Sequence, residues 1–173
     1  IAIISIQPAH REWVAQFWRD HWGGTQMISR GQVHTVDALP GFLAESSNTF
    51  VGLAMYTIEG GECELLSLDS LVEGKGVGSA LVEAVRQAAL SAGCRRLWLI
   101  TTNDNLGALR FYQKRGFHLA AVHVGAVNQS RRIKPTIPTV GFDGIPLRDE
   151  VELEIYGRLI GYASSRRDGH THF

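Results

Sequence analysis

The stretch from Leu65 to Leu81 constrains the fold more than any other part of this chain. An apolar run, Leu65-Leu66-Ser67-Leu68, passes into Asp69-Ser70-Leu71-Val72-Glu73 and then into Gly74-Lys75-Gly76-Val77-Gly78-Ser79-Ala80-Leu81. The first part reads as a strand and the last opens an amphipathic helix carrying Val77, Leu81, Val85 and Ala88 on one stripe. Three glycines at alternate positions leave backbone N–H groups uncovered where the helix begins. Oriented amides and the positive end of a helix dipole bind phosphate. The spacing excludes a P-loop, which needs GxxxxGK[ST], and a dinucleotide fingerprint, whose last glycine is missing after Gly76 and Gly78.

Around this unit the pattern is mixed. Ile1–Ile6 reads as a strand, and Pro8 starts a helix in which Trp13, Val14, Phe17 and Trp18 form a core stripe before Gly23-Gly24 ends it. Residues 25–40 are ambiguous, with a single helical turn expected over Gln26–Arg30 and a loop between Gly31 and Pro40. Gly41–Glu45, Thr49–Glu59 and Glu62–Asp69 read as strands, the last two joined by a Gly60-Gly61 hairpin turn. Strict alternation would place Glu62, Glu64, Leu66 and Leu68 on one face of the third, with Cys63, Leu65 and Ser67 on the other. Arg96–Thr102 is a strand, Asn103 or Asp104 caps the helix that follows, and Gly116 with Phe117 closes it. Phe117–Val124 and Glu150–Tyr156 complete the strands. Between them, residues 125–148 form a long irregular crossing with one helical turn expected at Ala126–Ile133. The order predicts an α+β fold, a mixed, mostly antiparallel central sheet with helices on both faces. Residues 1–160 are expected to form one domain and 161–173 a frayed tail.

A second motif reads Asn105-Leu106-Gly107-Ala108-Leu109-Arg110-Phe111-Tyr112-Gln113-Lys114-Arg115-Gly116-Phe117. It meets every fixed position of NxxAxxxYxxxGF. With the glycine loop it resembles the GNAT acyltransferase superfamily, whose pyrophosphate loop is [QR]xxGx[GA]. The chain departs from that loop at Glu73, where the family has Gln or Arg. The resemblance implies an N-acetyltransferase fold and an acetyl-CoA co-substrate held by Gly74, Lys75, Gly76, Val77, Gly78, Ser79 and Ala80. The pantetheine arm would add along Leu66 and Leu68, and Asn105 would bond to the pantetheine or diphosphate. The resemblance further implies Tyr112 as the acid for the departing thiolate and Glu64 as the base.

The acceptor is expected to be a primary amine of a small molecule. Trp22, Asp69, Arg131, Arg132 and Lys134 are its expected contacts, the three basic residues suiting an anionic group on it. Segments 22–34 and 125–148 are expected to roof the pocket. A protein N-terminus or lysine as acceptor, or a CoA-binding module without turnover, are the rival readings. Lysine plus arginine number 17 against 17 acidic residues, so no global charge points to nucleic acid. No apolar run is long enough to span a membrane. Seven histidines without HExxH or CxxC spacing give no metal motif. Cys63 and Cys94 read as core thiols of a cytoplasmic protein. A homodimer is left open.

Overall fold

The structure is a computed structural model, and it describes residues 1–157. Thirteen strands and α-helices follow in chain order: β1 (Ala2–Ser5), α1 (Arg11–Trp22), β2 (Gln26–Ser29), β3 (Gln32–Thr35), β4 (Gly41–Ser46), β5 (Thr49–Glu59), β6 (Glu62–Ser70), α2 (Val77–Ser91), β7 (Arg96–Thr102), α3 (Leu106–Gln113), β8 (His118–His123), α4 (Ala126–Ile133) and β9 (Glu150–Tyr156). Seven strands form one sheet in the order β1-β4-β5-β6-β7-β9-β8, and β2 pairs with β3 in a separate hairpin. Every pairing in the large sheet is antiparallel except β6 with β7.

Each face of the sheet buries its own core. On one side α2 and α3 pack Val77, Leu81, Val85 and Tyr112 against Cys63, Leu65, Leu97 and Leu153. On the other, α1 lays Val14, Phe17 and Trp18 over Leu43, Leu53 and Met55. The helical stripe expected in α1 is therefore the core of this second face, with Trp13 stacked on Phe17 at its edge.

Three expectations are corrected. Residues 26–35 form a hairpin rather than a helical turn and loop. Its two-residue turn, Arg30-Gly31, has positive φ at both positions, 51° and 74°, as a type I′ turn requires. The cap of α3 is Asn105, whose Oδ1 accepts from Ala108 N–H at 3.0 Å, and not Asn103 or Asp104. The alternation of β6 also breaks. Its register against β5 shifts between Met55 and Tyr56, so Leu66 is an extra residue between Leu65 and Ser67. A β-bulge of this kind reverses the facing of every residue beyond it. Leu68 accordingly packs with the α2 face. Asp69, paired with Leu53, joins Glu64 on the α1 face.

The expectations for the chain from Arg158 onward, including the tail at 161–173, lie outside the described residues. Among the described residues no helix is long and apolar enough to cross a membrane.

Candidate active site

The site grows out of a divergence in the sheet. β6 and β7 pair only over Glu62–Leu65 and Arg96–Leu99. Beyond that point β6 bulges and the two strands part, leaving backbone N–H and C=O groups of Leu66–Asp69 without β7 as a neighbour. A cleft of about 750 Å³ opens there. Leu66, Leu68 and Asp69 form one wall, Ile100–Thr102 and Asn105 the other, and Glu64 and Glu150 lie at its inner end. Trp22 to Ser29 and Pro138 to Leu147 contribute the covering side chains, among them Met27, Ile28 and Phe142.

β6 leads on through the glycine loop into the N-terminus of α2. Gly76 caps it in the left-handed conformation, φ 73°, which non-glycine residues adopt only under strain. The first bond within the helix runs from Ala80 N–H to Gly76 O at 3.0 Å. The N–H groups of Val77, Gly78 and Ser79 therefore precede the helix ladder and point out of its end. Gly78 is small for a further reason: a Cβ there would lie 3.1 Å from the Phe111 ring. Glu73 and Lys75 are both exposed. Arg115, at a position the α3 motif leaves unspecified, also reaches this helix. Its Nε and Nη2 donate to Ser79 Oγ at 3.0 and 2.6 Å, and its guanidinium lies 3.5 Å over the Phe111 ring. A fixed cation thus sits one side chain from the amides of α2. Arg115, two residues past the end of α3, places positive charge beside Ser79.

Tyr112 is buried, its ring edge-on to Phe117 at 5.5 Å. Burial pushes its phenol up, and the nearby Asp69 charge adds to this. Such a phenol keeps its proton until strong negative charge develops beside it. Asp69 accepts from Trp22 Nε1 at 3.2 Å; burial raises its carboxyl, with the Trp22 bond opposing.

Glu64 is 7% exposed and accepts a hydrogen bond from Ser29 Oγ, on the hairpin. Burial is the main cause that pushes its carboxyl up to about 7, with Glu150 and Glu152 adding to it and Ser29 and Arg30 opposing. A carboxylate at this value takes up protons near neutral pH, as a general base must. Glu64 is therefore not a solvated strand residue, since β2 covers it.

The basic cluster expected at the acceptor is placed elsewhere. Arg131 is consumed by the crossing itself, donating to the carbonyls of Ile137, Pro138 and Leu147 at 3.0, 2.7 and 2.9 Å. Lys134 Nζ donates to Trp22 O at 2.8 Å, capping the end of α1. Arg132 is exposed on α4. None of the three lines the cleft, because a loop of this length needs its own donors to satisfy its carbonyls. Their placement gives no support to an anionic group on the acceptor.

Asn103 and Asp104 anchor the same crossing to the end of β7. Asn103 Oδ1 accepts from Arg148 N–H and Asp149 N–H at 3.0 and 2.9 Å. Asp104 Oδ2 accepts from Phe142 N–H at 2.9 Å. Among the described residues no cluster of His, Cys, Asp and Glu is arranged to hold a metal.

The acetyltransferase (GNAT) family profile matches residues 8–117. Two proteins of Bacillus subtilis strain 168 are similar over most of their length. YdhI is 45% identical over 150 residues, 86% of this chain and 94% of its own. YxbD is 42% identical over 152 residues, 87% of this chain and 96% of its own. Among solved structures, a GNAT family acetyltransferase from Elizabethkingia anophelis with acetyl-CoA bound superposes with a TM-score of 0.67 at 16% identity, covering 90% of this chain and 97% of that one. The split between β6 and β7, the capped N-terminus of α2 and the Asn105–Tyr112 helix are therefore those of an acyltransferase, and this chain belongs to the GNAT acetyltransferase family.

Proposed function

We propose that the protein transfers an acetyl group from acetyl-CoA to the primary amine of a small molecule by direct attack on the thioester. The observation that carries this reading is the cleft itself. It is lined by a buried base, Glu64, and by a strand edge with free backbone groups, and that strand runs on through the glycine loop to a helix terminus with free amides. The diphosphate would rest on the amides of Val77, Gly78 and Ser79 beside Arg115. The pantetheine arm would pair with Leu66–Asp69 like an added strand. A backbone N–H near Leu68 would face the thioester oxygen and stabilise the oxyanion. Glu64 takes the proton of the attacking nitrogen as the N–C bond forms. The C–S bond then breaks, and the thiolate takes its proton from Tyr112, which is replenished from solvent.

The covering segments, 22–29 and 138–147, leave a cleft sized for a small acceptor rather than a folded protein surface. Cys63 and Cys94 are buried free thiols, which suits a reducing, cytoplasmic compartment.

The test is thiol release from acetyl-CoA with a panel of primary amines, alongside calorimetry with CoA. Arg115→Ala should weaken CoA binding about 10-fold, the scale of a lost charge-assisted bond, while leaving the amine KM unchanged. Tight CoA binding with no thiol release from any amine would instead favour a binding module.

A further inference from the structure

Five glutamates converge behind the inner end of the cleft: Glu62 and Glu64 on β6, and Glu150, Glu152 and Glu154 on β9. The cations around them are already engaged. Arg96 pairs with Glu152 and Glu154. Arg30 Nη1 meets Glu152 at 2.7 Å and His123 Nε2 meets it at 3.0 Å. Glu62 faces Arg95 and Arg96 at 3.5 and 3.9 Å. Among the described residues Glu64 and Glu150 have no ion pair, and they are the two that line the cleft. Glu150 is 5% exposed. Burial raises its carboxyl, the charges of His123 and Arg30 and the nearby Ser130 side chain and Arg30 backbone lower it, and Oε2 is buried without a hydrogen-bond partner.

A buried carboxylate oxygen left unpaired is costly, and it is relieved only by a donor or a cation. The cleft lining contains no lysine or arginine; His21, beside Trp22, is its one residue able to carry positive charge. The attacking nitrogen cannot serve throughout, because it ends as an uncharged amide. A cation that persists from substrate to product must belong to another part of the acceptor.

We propose that Glu150 is an acceptor-docking carboxylate, and that the acceptor is a small diamine whose one nitrogen attacks the thioester while the other stays protonated against Glu150. This rests on the acetyl-transfer reading above and names its substrate class. Glu64 and Glu150 then divide the work: the first takes a proton from one nitrogen, the second holds the charge of the other. The same arrangement disfavours amino acids, whose carboxylate would enter a cleft already carrying Glu64, Asp69 and Glu150.

Three amines of matched length decide it: 1,4-diaminobutane, butylamine and 4-aminobutanoate, each with saturating acetyl-CoA. The diamine should exceed butylamine in kcat/KM by about 10-fold or more, with 4-aminobutanoate the poorest. Glu150→Gln should raise the diamine KM by about the same factor and remove the preference for the diamine over butylamine, whereas any change it makes through Glu64 falls on both amines alike. Glu150→Asp should retain part of the preference. A wild-type enzyme that uses butylamine or 4-aminobutanoate as well as the diamine overturns the inference and leaves acetyl transfer standing. So does an equal effect of Glu150→Gln on all three. Calorimetry of the same amines on the CoA-saturated protein reads docking without turnover. Diamine binding lost in Glu150→Gln supports the inference even where transfer fails, and absence of selective diamine binding refutes it.

Discussion

Glu64 shows how burial turns an ordinary strand residue into a candidate base. With its carboxyl at about 7, kcat/KM should rise as pH passes through 7 and level off above it, because only the ionised form accepts a proton. Glu64→Gln should abolish that limb, read from a pH–rate profile with chemistry limiting. The same shift has a stability consequence. The folded protein binds this proton more tightly than the unfolded chain. The group therefore favours folding fully below its unfolded value, near 4.5, and that contribution is lost as pH rises through 7. Glu64→Gln should accordingly stabilise the protein at pH 8 by on the order of 1–3 kcal/mol relative to wild type, and by less at pH 5. Thermal melts at the two pH values check this. Glu73 is exposed and makes no ion pair among the described residues, so it is free to turn from a bound diphosphate. Glu73→Gln should bind CoA as tightly as wild type or more so in calorimetry; a marked loss would mean that the carboxylate makes a needed contact. Glu64 was legible as a carboxylate on the right strand, but its burial was not, since the hairpin that covers it is remote in sequence.

Elements with strong local signals were readable, and those fixed by distant partners were not. The strand–glycine–helix unit, the hairpin at Gly60-Gly61 and the α3 motif carry their own punctuation. The β2–β3 hairpin turns on Arg30-Gly31, which lacks the Asn-Gly or Asp-Gly signal of a type I′ turn. The bulge at Leu66 has no sequence mark at all; it comes from the register that β5 imposes on β6. Missing it hid that Asp69 and Glu64 share a face. The crossing after α4 is likewise held by contacts rather than propensity. Gly141 lies against Asp104 so closely that a Cβ would sit 1.9 Å from Oδ2. Gly141→Ala should therefore displace either Asp104 or the strap carrying Phe142. The amine KM should rise several-fold while the fold persists, as the strap is peripheral to both cores. Steady-state kinetics beside a thermal melt separate that outcome from global destabilisation.

At the scale of the whole molecule the glycine-loop region and the cleft have separate supports. The glycine-loop region rests on α2 and α3, tied by Arg115 to Ser79 and packed into the core. The cleft is covered by two segments far apart in sequence, 22–29 and 138–147, which are tied to the rest by polar contacts. Lys134 reaches Trp22 O, Asn103 and Asp104 hold the strap at the end of β7, and Arg131 gathers three of its carbonyls. Independent supports imply independent failure. Arg131→Met keeps much of the side chain's bulk but removes three hydrogen bonds, one exposed and two part-buried, that tie the strap together, a loss of about 0.5–1.5 kcal/mol each. Water can replace the donor, but it does not link the three carbonyls to one another. The variant should thus raise the amine KM by about 10-fold or more, through a poorly defined acceptor cleft. CoA affinity in calorimetry should stay within about twofold, because no contact of α2, α3 or the glycine loop is touched. Equal losses in both measurements would show that the two regions are one cooperative unit, and that the strap supports the donor site as well as the acceptor.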